Sequence, residues 1–257
     1  MGRLMPDRLG QRAWAMAIFC PTQIFSKLKN RMFPDLYVKP VVDWRNILLS
    51  DFWFKFIGTS VFMSLFFWAY FFLLKNPAFP VTVMPLTVVD EWIGFSPWAL
   101  IPYFSLWVYC SLPVMVIPER IRLISFGVWI GSMCLVALTV FYFLPSAVPV
   151  ANIDWSQYPG VSFLKEVDAG GNACPSMHVA AAVYSSLWLY WLLAELRLGW
   201  RAQAVQVLWG LAIVYSTLAT KQHVSLDVLA GIALGIVFAW GSRKFDLKLQ
   251  SVRRVIH

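Results

Sequence analysis

The sequence predicts an all-α, polytopic membrane protein: a bundle of six transmembrane helices with a basic N-terminal amphipathic segment. Three observations carry this. Hydrophobic residues make up 60% of the 257 positions and charged residues only 13%, against about 25% in a soluble domain. Apolar runs of about 20 residues, the length needed to cross a bilayer, recur along the chain. The cations concentrate in alternate loops, as the positive-inside rule requires. A net charge of +8 on such a chain points to an anionic lipid surface as partner, and not to nucleic acid.

Residues 1–51 hold Arg3, Arg8, Arg12, Lys27, Lys29, Arg31, Lys39 and Arg45, mixed with Trp14, Ile18 and Phe25. Cations interleaved with aromatic and aliphatic residues suit a helix lying on the membrane surface, a disordered basic tail being the alternative. Six spans follow at about 54–74, 98–117, 123–144, 177–196, 202–219 and 226–240. The last two are short and contain Gly210, Gly231 and Gly235, which suits close helix packing. Residues 52–242 are thus a membrane domain and 243–257 a basic tail. The four cysteines, Cys20, Cys110, Cys134 and Cys174, have no paired spacing, so neither a disulfide framework nor a zinc site is expected.

Of the 21 Lys and Arg residues, only Lys75, Lys165 and Lys221 fall in loops one, three and five. That bias places both termini in the cytoplasm and these three loops outside.

Two polar islands interrupt the apolar runs, both in outward loops. Residues 170–179 read Gly-Gly-Asn-Ala-Cys-Pro-Ser-Met-His-Val. Pro175 is expected in the first turn of a helix, where its missing N–H costs nothing. Ser176 and the free N–H groups of that turn would offer an anion site, with His178 at the mouth of the span. Residues 216–227 contain His223, with Asp227 four positions later. If the turn is helical the two share a face, and a carboxylate on one imidazole nitrogen leaves the other as nucleophile or base. Lys221 would lie within reach of an anion there. Asp90-Glu91-Trp92 in loop one is expected as an interface belt or as part of the substrate entrance. The aromatic residues of the spans are expected to pack the core and touch lipid.

Cys174-Pro-Ser176-Met-His178, followed by Ser216 and by His223-Val-Ser-Leu-Asp227, resembles two signature motifs of the type-2 phosphatidic acid phosphatase superfamily. Within it, the runs beginning at Asn172 and at Thr220-Lys221-Gln222-His223 are most similar to the branch containing inositol phosphorylceramide synthases. The resemblance covers about residues 90–240. It implies phosphoryl transfer through a phosphohistidine, without metal or other cofactor. His223 would be the nucleophile, Asp227 its orienting partner and His178 the general acid. Ser176, Ser216, Asn172 and Lys221 would bind the substrate phosphate. The substrate would be a membrane lipid phosphate or phosphodiester, met on the extracytoplasmic side of a membrane such as a bacterial inner membrane.

Two features depart from the superfamily pattern. No Lys and Arg-Pro pair stands on the outward side, because Arg120 and Arg122 fall in a cytoplasmic loop, and Thr217 occupies a position where Arg is usual. Fewer cations suit a singly charged diester better than a doubly charged monoester. Lipid phosphate hydrolysis stays the expected activity on the balance of the superfamily, and this departure shifts weight towards the alternative, transfer of a phospho-headgroup to an alcohol as in inositol phosphorylceramide or sphingomyelin synthesis. A transporter with a His/Asp proton relay is the remote third reading; it would want ionisable groups along the spans and not at one end.

Overall fold

The computed structural model describes residues 43–158, 160, 162 and 171–256. The expected surface segment lies almost wholly outside them, as does Lys165. Eight α-helices have their bounds among the described residues: α1 (Trp44–Leu49), α2 (Phe52–Lys75), α3 (Val88–Trp92), α4 (Leu100–Val116), α5 (Arg120–Phe143), α6 (Met177–Glu195), α7 (Trp200–Ala219) and α8 (Ser225–Ile256). Six of them are long and apolar enough to cross a membrane: α2, α4 with its leading turn from Pro97, and α5 to α8. These six helices make the chain an integral, multi-pass membrane protein.

Three spans stop just before an X-Pro pair. The pairs are Asn76-Pro77, Ile117-Pro118 and Leu144-Pro145, directly beyond the ends of α2, α4 and α5. Proline bars the residue before it from helical backbone angles, which fixes the stops. Asn76 adds a C-cap, its side-chain amide donating to the Phe72 carbonyl at 2.9 Å.

The helices are not equal partners. α6 is the centre, with 56% of its apolar 18-residue stretch buried, whereas α2 lies at the edge with 0% of the corresponding stretch buried. Trp188 and Tyr184 of α6 share one buried cluster with Phe126, Met133, Ala137 and Phe141 of α5 and Ala239 of α8, and the Phe126 ring meets both, at 5.4 and 5.2 Å. α8 meets α6 through Gly231 and Gly235. A Cβ on Gly231 would lie 2.5 Å from the Ser176 carbonyl oxygen, and one on Gly235 2.7 Å from that of Ala180. Only glycine permits this approach, so the close packing expected of them is observed.

Two regions depart from expectation. The last helix does not end near 240: it runs on to Ile256, and the basic residues expected as a tail are helical. Asp246 is the reason. It is fully buried, and Arg122 grips it with Nε at 2.7 Å and a terminal nitrogen at 2.9 Å. Glu195 and Arg243 complete the cluster, with Arg122–Glu195 at 3.0 Å and Arg243–Asp246 at 2.9 Å. The ends of α5, α6 and α8 are thus tied together; removing one member of such a buried pair costs about 3–5 kcal/mol. At the opposite end, Thr82–Val83 and Ser146–Ala147 form a two-residue parallel pair, and Ala147 bridges to Gly171. This small sheet, with no apolar run to announce it, pins the approach to the first histidine island.

Candidate active site

The site is built where two helix N-termini meet. Ser176 caps α6: its Oγ accepts the Val179 N–H at 3.3 Å. Pro175 therefore stands before the N-cap and not in the first turn, a correction to the sequence expectation. The serine wins the capping position because its oxygen can accept an orphan N–H. His178 follows as the second residue of α6.

His223 lies in the non-helical link between α7 and α8, two residues before Ser225 opens the last helix. It and Asp227 therefore do not share a helical face. Asp227 sits at the third position of α8 and folds back, its Oδ2 accepting the Val224 N–H at 3.1 Å. The same oxygen stands 3.5 Å from His223 Nδ1. Nδ1 and Asp227 Oδ1 are buried with no hydrogen-bond partner among the described residues. The carboxylate thus stands at ion-pair range of Nδ1, and Nε2 is the ring nitrogen it does not engage.

The two islands are stitched directly, since the Ser176 N–H donates to the Asp227 carbonyl at 3.1 Å. His178 and His223 come to a ring-centroid separation of 6.0 Å. Behind His178, Tyr103 stacks at 4.5 Å and Trp107 meets it edge-on at 5.6 Å. These α4 aromatics hold the ring, beyond the packing and lipid role expected of the spans. Their four-residue spacing was the available signal.

Loop one is the element sequence reasoning undervalued. Asp90, buried against α8, accepts the Ser225 N–H at 2.7 Å and the Ser225 hydroxyl at 2.9 Å. Its Oδ2 also takes the Thr87 N–H at 2.8 Å and the Thr87 hydroxyl at 3.0 Å. Burial pushes the Asp90 carboxyl up, but these donors from Thr87 and Ser225 outweigh it and hold it below the usual carboxylate range. Asp90 thereby caps α8 from a distant loop, next to His223. Lys221 completes the clasp: in a left-handed conformation at φ 56, it donates from Nζ to the carbonyls of Asp90, at 3.0 Å, and Ile93.

A cavity of about 900 Å³ opens from the histidines, lined by His178, His223, Asn172, Met177 and Tyr103 at that end. Asn172, at φ 49, donates its side-chain N–H to the Tyr70 carbonyl at 3.1 Å. Of the expected phosphate-binding residues only Asn172 is among those lining the cavity. Ser176 and Ser216 are fully buried, and the Ser216 hydroxyl donates to the Ile213 carbonyl at 2.6 Å. Cys174 precedes the site, and burial, then the Asp227 charge, push its thiol upward, so it stays protonated near neutral pH. Among the described residues no group of three or more His, Cys, Asp or Glu side chains is placed to hold a metal ion.

No curated protein and no solved structure matches the chain. The sequence model of the PAP2 superfamily does match, over residues 123–250, from the start of α5 through most of α8. That stretch contains His178, His223, Asp227 and the whole α6–α8 contact, and it makes residues 123–250 a PAP2 superfamily region.

Proposed function

We propose that the protein is a membrane lipid phosphatase working through a phosphohistidine on the extracytoplasmic side. Members of the PAP2 superfamily are generally phosphatases or phosphotransferases. The observation that carries the finer reading is the pair of histidines 6.0 Å apart, one backed by a buried carboxylate, at the head of an apolar cavity within a membrane bundle. His223 Nε2 attacks phosphorus, and the bond to the lipid oxygen breaks as His178 delivers a proton to it. Asp227 stabilises the imidazolium character that develops on His223. Water, losing its proton to His178, then attacks phosphorus and returns His223 with free phosphate. Asn172 lies at the phosphate position. Ser176 shapes that position by capping α6, whose first N–H groups are the remaining donors, while Ser216 and Lys221 brace the adjoining α7–α8 link.

One observation favours the second reading, transfer of a phospho-headgroup to an alcohol as in the inositol phosphorylceramide synthase branch. The only cation lining the cavity, among the described residues, is Lys55, on the first span. A site whose donors are amides is matched to a singly charged diester.

Purified protein, presented with lipid phosphates and phosphodiesters in mixed micelles, tests both readings when free phosphate and new lipid products are scored separately. Turnover of at least one should persist in EDTA and fall to background in His223→Ala. Undiminished turnover in a correctly inserted His223→Ala protein, or loss in EDTA restored by a divalent metal, overturns the proposal.

A further inference from the structure

The cavity extends far beyond the histidines. Its lining on α2 falls at two adjacent positions every fourth residue, from Phe54 and Lys55 to Tyr70 and Phe71. Positions four apart lie one above another on a helix, so this is one continuous stripe. From Phe54 to Phe71 it runs about 25 Å at the helical rise of about 1.5 Å per residue. A bilayer's hydrocarbon core is about 30 Å thick, so the cavity passes well beyond the depth of one leaflet.

Its two ends differ chemically. At one end stand His178, His223 and Asn172; at the other is Lys55, the one buried residue of α2. The Lys55 ammonium is tied to the carbonyls of Ile47 at 3.1 Å and Met115 at 3.0 Å, which closes the floor. Between the ends the wall is almost wholly apolar, and Phe104 and Val128 are part of it while 42% and 61% exposed. The slot is therefore open sideways towards lipid. Gly58 of α2 and Gly127 of α5 line it, and a Cβ on either would meet no atom within 4 Å. An apolar void of this size forfeits dispersion contacts along its wall unless something from the membrane fills it.

We infer that this slot is a binding site for a long hydrocarbon tail of the substrate lipid, which runs inside the bundle from the histidine pair towards Lys55. The tail is thereby measured: chains that pass the midplane bury their length against α2, α4 and α5, and short ones leave the lower slot empty. The inference rests on the reading that the phosphate lies at the histidine end, and it assigns to Gly58 and Gly127 the role of keeping the lower slot open.

Single-chain lysophosphatidates with octanoyl, palmitoyl or lignoceroyl tails test it. The kcat/KM should rise with tail length. Gly58→Phe and Gly127→Phe, whose rings have free space to enter, should lower kcat/KM for the lignoceroyl substrate by about tenfold and leave the octanoyl one within about twofold. A flat dependence on tail length, or equal losses on both substrates, overturns the inference. A palmityl phosphate carrying a diazirine at the tail end gives a readout independent of turnover. Crosslinks to α2 around residues 58–63 support the tail site even if no lipid phosphate is hydrolysed, in which case it is the proposed activity that fails. Crosslinks confined to the histidine end overturn the tail site.

Discussion

Asp90 is one carboxylate holding four donors, two from Thr87 and two from Ser225. Its carboxyl is held below the usual range by those donors. A group depressed in this way adds stability that is present above the ordinary carboxylate pKa of about 4, and loses it as pH falls through the folded value. Asp90→Asn should therefore lower thermal stability in detergent at neutral pH, by about 1–3 kcal/mol. It should also flatten the fall in stability of the wild type below about pH 4. Because Ser225 lies two residues from His223, turnover should drop in the same variant. Identical pH profiles of wild type and Asp90→Asn would show that the clasp contributes nothing. His178, His223 and Asp227 could be picked out in the sequence because histidines and a carboxylate are rare at membrane depth. Asp90 and Ser225 could not: a carboxylate in a loop and a serine at a helix start have ordinary reasons to be there. Only the fold brings them together across 135 residues. For Lys221 the carbonyls of Asp90 and Ile93 were equally out of sight.

At the scale of elements, the spans were legible because each is a long apolar run, and three of their ends because proline follows directly. Which face of each helix looks where was not legible. These helices are apolar all round, so no stripe distinguishes core from lipid or from cavity. The length of α8 was hidden for a related reason: Asp246 and Arg243 look like a solvated tail until Arg122 and Glu195 arrive from other helices. The glycines were the exception, since a small residue repeated every four positions announces close approach. The α6–α8 contact also sets the distance between the histidine islands, because Gly231 faces the carbonyl of Ser176, two residues before His178. Gly231→Ala should thus force the helices apart, with a cost of about 1–3 kcal/mol and a fall in kcat. Gly199→Ala, where a Cβ would meet nothing within 4 Å, should leave both close to wild type. Equal behaviour of the two variants in thermal unfolding and turnover would remove the glycine contact as the spacer of the site.

For the whole molecule, both histidines stand at one end of the bundle and the Arg122, Arg243, Glu195 and Asp246 cluster at the other. Which end faces the cytoplasm follows from how the chain enters the membrane. Insertion responds to Lys and Arg in short loops before the helices have packed, so the later pairing of Arg122 and Arg243 with acids does not weaken their vote. The loops on the histidine side hold only Lys75, Lys165 and Lys221 of the 21 cations. That end should face outward, and a lipid in the outer leaflet would then meet the reacting groups at its own headgroup level. Val150, 97% exposed in the loop before the first island, and Lys248, exposed near the end of α8, are suitable reporters in a background without the native cysteines. A maleimide that cannot cross membranes should label Val150→Cys in intact cells and reach Lys248→Cys only after the membrane is opened. Labelling of Lys248→Cys alone in intact cells would invert the topology. The fold and the histidine geometry would survive that result, but the substrate would have to come from the cytoplasmic leaflet.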